Sequence, residues 1–335
     1  MEKNSKSKSL ASLLKLYEQE GIIPLRYLRS IETFYAGYLD AAIEEPQERI
    51  EKIFVTLLHL VKEQCLHPFS FQPFHKLIRS PFDYYQFGID LIRPLVDFPR
   101  SSVHRLDELQ KITALLEKGD NIIFLANHQT EADPQALSIL LEPTHPKLGE
   151  EMIFVAGERV ITDPLAVPAS QGRNLLCIYS KRYIDHPPED KEKKQQHIKR
   201  TMQIMSELLS EGGKAIYVAP SGGRDRPNAS GAIEVAPYDP QSIEMFYLMA
   251  KKSTHPTHFY PMALKTYDLL PPPETIQVEL GEERIAKRAA IHLAFGSEID
   301  MEKFPGSDAE DKHERRAARA TYIHDLVSKD YALFP

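Results

Sequence analysis

Cysteine is nearly absent: the 335 residues contain two, Cys65 and Cys177, far apart and without a CxxC partner. A disulfide framework and a thiolate metal site are therefore both excluded as organising devices, and a reducing, cytoplasmic compartment is the expectation. Long apolar runs are missing too. The longest, such as Ile122 to Ala126, are about five residues, against the roughly twenty a spanning helix needs. No excess of positive charge exists; the formal net charge is -7, which argues against a nucleic-acid binder, since such proteins carry a basic domain or stripe. The first nine residues are polar and Lys-rich with no apolar stretch behind them, so no targeting segment is read. At 42% hydrophobic and 27% charged residues, the chain is ordinary globular material, long enough for a sizeable core without staples.

From Ser9 to about Leu66 the apolar residues recur at helical spacing: Leu10, Leu13, Leu14 and Tyr17, then Leu28, Ile31, Tyr35 and Leu39, then Ile50, Ile53, Phe54, Leu57 and Val61. Three amphipathic helices are predicted, punctuated at Gly21 to Pro24 and at Glu45-Pro46, with both prolines suited to first-turn positions. Residues 1-70 are thus expected to form a small helical bundle domain and 71-335 an α/β catalytic domain. Between His67 and Pro99, prolines and aromatics break the periodicity, which marks an irregular packing segment with the junction in its first third.

Beyond Ser101 helical and strand signals alternate. Strands are expected at 121–126, 152–156, 175–179, 214–219 and 258–264, and helices at 106–116, 134–141, 193–209 and 241–252. Further strands at 276–280 and 290–295 have no helix clearly between them. The prediction is a mixed, mostly parallel sheet flanked by helices, followed by a charged helix over 309–329.

The strand Ile122 to Ala126 delivers Asn127 and His128 to its carboxyl end, the edge at which α/β sheets bind ligands. Asp133 stands five residues on. A carboxylate accepting from one imidazole nitrogen leaves the other unprotonated, able to take a proton from a hydroxyl. The competing reading is a helix start, with Asp133 capping the first turn and Pro134 at its first position. A second segment, Pro220-Ser221-Gly222-Gly223-Arg224-Asp225-Arg226-Pro227, follows another strand. Its glycines allow close backbone approach to an anion and its arginines offer forked donors to phosphate oxygens, whereas the bland alternative is a surface turn with an Arg-Asp ion pair. Cations of a third segment, Arg159 and the Lys181-Arg182 pair, are candidates to complete such a pocket, the alternative being that Lys181-Arg182 is a solvated surface pair. His255 and His258 have no further ligand at metal spacing, so no metal is expected.

Together Asn127 to Pro134, Arg173-Asn174-Leu175-Leu176-Cys177 and Ala219 to Pro227 resemble the soluble glycerol-3-phosphate acyltransferases of plastids and chlamydia-like bacteria, in order from about Asp120 to Leu270. The wider superfamily has Glu-Gly-Thr-Arg where this chain has Ser221-Gly222-Gly223-Arg224, and the departure is that of the soluble subfamily. The resemblance implies His128 as base, Asp133 as its orienting partner, and Arg224 and Arg226 on the substrate phosphate. Where plant members show Lys-Lys-His this chain has Lys181-Arg182-Tyr183, so Arg182 stands in as a cation and Tyr183 as a hydrogen-bonding group of the same pocket. It further implies acyl transfer to the sn-1 hydroxyl of glycerol 3-phosphate from an acyl-carrier-protein or CoA thioester, with no cofactor. The basic residues Lys191, Lys193, Lys194, Lys199 and Arg200 are candidates to meet the acidic carrier. Two rival readings are acylation of lysophosphatidate and a noncatalytic binder of acyl carrier or phospholipid.

Overall fold

The computed structural model describes residues 9–179, 188–273 and 280–335. The three N-terminal helices form as the periodicity predicts: α1 (Leu10–Glu20), α2 (Leu25–Ala41) and α3 (Gln47–Leu66). Ser9 caps α1 by accepting from the Ser12 N-H, and Gly21 ends it in the left-handed conformation at φ 64, where an L side chain is disfavoured. Pro24 and Pro46 stand one place earlier than expected, at the N-cap positions of α2 and α3. Tyr38 and Phe54 are fully buried between these helices, with ring centroids 5.1 Å apart.

The remaining elements in chain order are β1 (Phe74–His75), α4 (Tyr84–Ile92), β2 (Ser102–His104), α5 (Leu106–Glu117), β3 (Asn121–Ala126), α6 (Asp133–Leu141), α7 (Pro146–Glu151), β4 (Ile153–Ala156), α8 (Glu158–Thr162), α9 (Val167–Gln171), β5 (Asn174–Cys177), α10 (Lys191–Glu211), β6 (Ala215–Val218), β7 (Arg226–Pro227), β8 (Ile233–Glu234), α11 (Pro240–Lys252), β9 (Thr257–Lys265), β10 (His292–Phe295) and α12 (Lys312–Tyr331). Eight strands form one sheet in the order β1-β5-β4-β6-β3-β9-β10-β2. The five from β5 to β9 are parallel, β1 and β10 run antiparallel to their inner neighbours, and β2 is parallel to β10. The mixed, mostly parallel sheet is as expected. The strand anticipated over 276–280 falls almost wholly outside the described residues.

β3 lies near the middle of the sheet and all six of its residues are buried, as a parallel strand covered on both faces requires. Alternate residues feed two apolar clusters. Ile122, Phe124 and Ala126 join one that is continuous with Leu10, Ile31, Phe34, Phe54 and Leu57 of the N-terminal helices. Ile123 and Leu125 join the other, with Leu209 of α10, Phe246 of α11 and Ile323 of α12. The segment read as irregular contains α4, started by Asp83, whose carboxylate accepts from the Gln86 N-H at 2.9 Å. No described helix is long and apolar enough to cross a membrane.

Candidate active site

Chain direction places the site. The loops after β3 and β6 leave the same edge of two hydrogen-bonded parallel strands, so His128 and the Gly222-Gly223-Arg224-Asp225-Arg226 segment meet. The Asp225 N-H donates to the His128 carbonyl at 2.6 Å. Gly222 makes the intervening turn at φ 65, which glycine tolerates without a Cβ penalty.

The His128 imidazole is bound through Nδ1 to Asp133 Oδ2 at 2.7 Å. The same Oδ2 accepts from the Gln129 N-H at 2.8 Å. Oδ1 accepts from the Thr130 N-H at 3.1 Å and from the hydroxyl of Thr266 at 2.6 Å. Asp133 is 1% exposed, while the His128 side chain remains one-third exposed at 32%. A buried carboxylate saturated with donors is fixed in position, and since it accepts, Nδ1 carries the hydrogen and Nε2 presents its lone pair. The helix-start reading is corrected in detail. Ala132 is the N-cap of α6, Asp133 its first residue and Pro134 its second, and the Asp133 carboxylate turns back to the preceding loop rather than forward to the helix N-H groups.

Beneath the imidazole lies a polar layer to which the sequence pattern assigned no role. Asn127, fully buried, donates to Asp225 Oδ2 and to the Leu264 carbonyl, both at 2.8 Å, and accepts from the Leu264 N-H at 2.7 Å. Gln129 accepts from the N-H groups of Thr266 and Tyr267 at 2.7 and 2.9 Å and donates to Asp225 Oδ2 at 3.2 Å. Asp225, itself fully buried, also accepts from the Ala236 N-H at 2.9 Å. Burial pushes its carboxyl above the ordinary 3.8, against the pull of the Asn127, Ala236 and Gln129 donors. The expected surface turn with an Arg-Asp pair is thus not what forms: Asp225 points inward and splints three loops. Its only sequence signal was the polar run Asn127-His128-Gln129-Thr130 directly after an apolar strand.

Arg224 and Arg226 face away from this layer. Arg224 makes a forked pair with Glu282 at 2.7 and 2.9 Å, and Arg159 reaches the same carboxylate at 2.8 Å. Arg226 donates to the Pro273 carbonyl. Burial, with Arg224 alongside, pulls its guanidinium below the usual range. Burial raises the Glu282 carboxyl, but Arg224, Arg159 and Arg284 outweigh it and hold the group below its ordinary value. Arg284, 8% exposed, pairs with Glu131 on both carboxylate oxygens, one at 2.9 Å, and donates to the Glu282 carbonyl at 2.9 Å. Glu131, Glu282 and Arg284 were not anticipated as site residues; Glu282 and Arg284 lie far along the chain, with nothing local to mark them. Arg182 and Tyr183 lie outside the described residues.

His128 also lines a largely apolar cavity. Phe154, Ala156, Val160, Leu165 and Ala219 line it, and Ile31, Phe34 and Leu57 bring the N-terminal helices into its wall. A histidine therefore lines a largely apolar cavity whose wall also includes Glu131 and Arg284 of the ion-pair network. Among the described residues no group of His, Cys, Asp and Glu is arranged to hold a metal ion. Of the basic residues on α10, Lys194 is buried and paired with Glu158 at 3.1 Å, so it turns inward rather than toward a partner. Lys191, Lys193, Lys199 and Arg200 are exposed.

Residues 100–265, which carry β3 to β9 and the loops just described, match the family model described as Acyltransferase. The class is therefore that of the acyltransferases. The chain is 38% identical over 327 residues to a chloroplastic glycerol-3-phosphate acyltransferase of Cucurbita moschata, covering 96% of this chain and 71% of the relative. Enzymes of the same description from Arabidopsis thaliana and Spinacia oleracea are each 36% identical, over 97% of this chain and 72% and 70% of theirs. The chain belongs to the glycerol-3-phosphate acyltransferase family.

Proposed function

We propose that this enzyme transfers a fatty acyl group from a thioester, carried by acyl carrier protein or CoA, to the sn-1 hydroxyl of glycerol 3-phosphate. The product is 1-acylglycerol 3-phosphate. The observation that carries the reading is the 2.7 Å bond from His128 Nδ1 to a buried, donor-saturated Asp133, on a histidine that lines a largely apolar cavity. In this reading Nε2 accepts the hydroxyl proton as the oxygen attacks the thioester carbonyl, and Asp133 stabilises the imidazolium so formed. The C-S bond then breaks and the imidazolium returns its proton to the departing sulfur. No acyl-enzyme and no cofactor are needed. Arg224 and Arg226, with Arg182 and Tyr183, hold the phosphate, and the apolar cavity takes the acyl chain. Anchoring the phosphate decides which hydroxyl meets the base, a positioning effect worth several kcal/mol and roughly ten at its ideal limit.

Lysophosphatidate as acceptor would bring a second acyl chain to the site; a cluster of arginines beside one apolar cavity favours the small acceptor. Two free cysteines fit an aqueous reducing compartment, which for this chain we take to be the cytoplasm. The test is purified protein with labelled glycerol 3-phosphate and either acyl-carrier or CoA thioester, beside His128→Ala. Lysophosphatidate formation reduced at least about 10²-fold in the variant is expected, the low end for losing a general base. Equal turnover by the variant would sink the mechanism, and transfer only to lysophosphatidate would sink the acceptor assignment.

A further inference from the structure

The N-terminal helices do more than cover the sheet. Ser30, Ile31 and Phe34 of α2 and Leu57 of α3 line the same cavity as His128. The three α2 residues fall on one face of the helix by their three- and four-residue spacing. Phe34 packs edge-on against Phe54 of α3 and against Tyr38, with ring centroids 5.2 and 5.9 Å apart. The Tyr38 hydroxyl donates to the carbonyl of Leu91 in α4 at 2.7 Å, and Leu91 lines the cavity as well. Ser30 Oγ donates to the carbonyl of Gly281 at 3.1 Å, one residue before Glu282. The bundle is thus bonded at two points to segments that border the cavity and the arginine cluster, and its apolar residues share one core cluster with Phe154, Leu175 and Tyr217 of the sheet.

The catalytic unit's share of the wall has little freedom to change shape. Leu175, Phe154 and Tyr217 stand in one row across β5, β4 and β6, and the Tyr217 hydroxyl donates to the carbonyl of Asn127, the residue before His128. Ala132 and Gln135, also in the wall, flank Asp133 at the start of α6. A change of volume at these positions disturbs the base or its partner. α2 and α3 carry none of the partners of His128 and Asp133 named above, so their side chains can change the cavity's volume while the base stays in place. Resting on the reading of this cavity as the acyl site, we infer that the α2 and α3 face of the N-terminal bundle sets which acyl-chain length the enzyme transfers, with Phe34 and Leu57 as the selecting side chains. An apolar pocket chooses among chains by volume: each methylene it buries is favourable, and one for which it has no room is rejected. The bundle is in this way part of the donor site, and the smaller or larger its side chains at these positions, the longer or shorter the chain accepted.

The experiment measures kcat/KM for myristoyl-CoA and stearoyl-CoA, and for the corresponding acyl-carrier thioesters, in the full wild-type chain, Leu57→Ala and Leu57→Phe. Leu57→Ala is expected to raise the stearoyl-to-myristoyl ratio at least about tenfold and Leu57→Phe to lower it by about the same factor, the low end for a single methylene in an apolar pocket. Opposite shifts cannot come from destabilisation, which depresses transfer of both chains alike. Active variants that keep the wild-type ratio would overturn the inference while leaving acyl transfer intact. Should neither variant fold, a thioester with a diazirine at the methyl end of its chain is irradiated on the wild-type protein: adducts within α2 or α3 are expected, and labelling confined to other segments would overturn the inference. A wild-type protein that transfers neither chain from either carrier would instead overturn the functional reading, and this inference with it.

Discussion

At the scale of single residues, the site is a set of charges whose partners are already chosen. Asp133 spends its lone pairs on the His128 ring, two backbone N-H groups and the Thr266 hydroxyl, so it has no freedom to serve another base. Arg224, by contrast, is held by the half-buried carboxylate of Glu282. A phosphate can replace that carboxylate with one of like geometry. Arg224→Ala and Arg226→Ala are therefore expected to raise the KM for glycerol 3-phosphate by roughly 10-fold to 100-fold, matching about 1.5 to 3 kcal/mol for a hydrogen bond to a charged group, with a smaller change in kcat. Steady-state kinetics with varied acceptor checks this; unchanged KM in both variants would remove these arginines from the phosphate site. The His128 and Asp133 pairing was legible because both lie in one short segment. The Glu282 and Arg284 partners were not, because only the return of the chain after β9 brings them back.

At the scale of elements, the site depends on how closely backbones approach. Gly172 ends α9 just before Arg173, with an ordinary φ of -84, so its requirement is space rather than conformation. A Cβ there would lie 2.4 Å from the Tyr84 carbonyl oxygen and 2.5 Å from its carbon, at the start of α4. Gly172→Ala must push these segments apart, and a loss of about 1 to 3 kcal/mol is expected from overpacking, measured as a lowered urea midpoint. A wild-type midpoint would show that α4 can yield there. α4 itself escaped the sequence reading for a physical reason. It is nine residues long and lies within a run of prolines and aromatics from Pro68 to Phe98, which masks so short a period. α8 and α9, five residues each, are too short to show any. The strands β3, β6 and β9 were readable because buried parallel strands are short apolar runs bounded by polar residues.

At the scale of the whole molecule, one sheet carries two apolar clusters, and buried titratable groups tie its stability to pH. Burial lowers His75 and His197 below the ordinary 6.5, each opposed by a backbone carbonyl, and lowers His292 with help from Lys265 and His104. A depressed folded pKa means that the unfolded chain binds protons first. The histidines' contribution is therefore complete above about 6.5 and is lost as pH falls through their lower folded values. Raised Asp225 and Asp330 act oppositely, their contribution being present below 3.8 and lost as pH rises through their folded values. Between about pH 7.5 and 5.5 the histidines are expected to dominate, so stability is expected to fall as the pH is lowered, with part-exposed His197 contributing least. Denaturant unfolding at the two pH values measures it, and equal or greater stability at the lower pH would contradict the assignment.

By itself the sequence determined what local chemistry can determine: the three N-terminal helices, the central strands, and the His128 and Asp133 spacing at a strand's carboxyl end. Those features follow from periodicity and from contacts within a few residues. Tertiary structure alone decided that Asp225 turns inward to brace the His128 loop, that Glu282 occupies Arg224, and that Arg173 is buried over the Tyr85 ring with one nitrogen on Ser138. Each of these depends on segments distant in sequence packing against one another, and no local pattern records which polar group will find a partner once water is excluded.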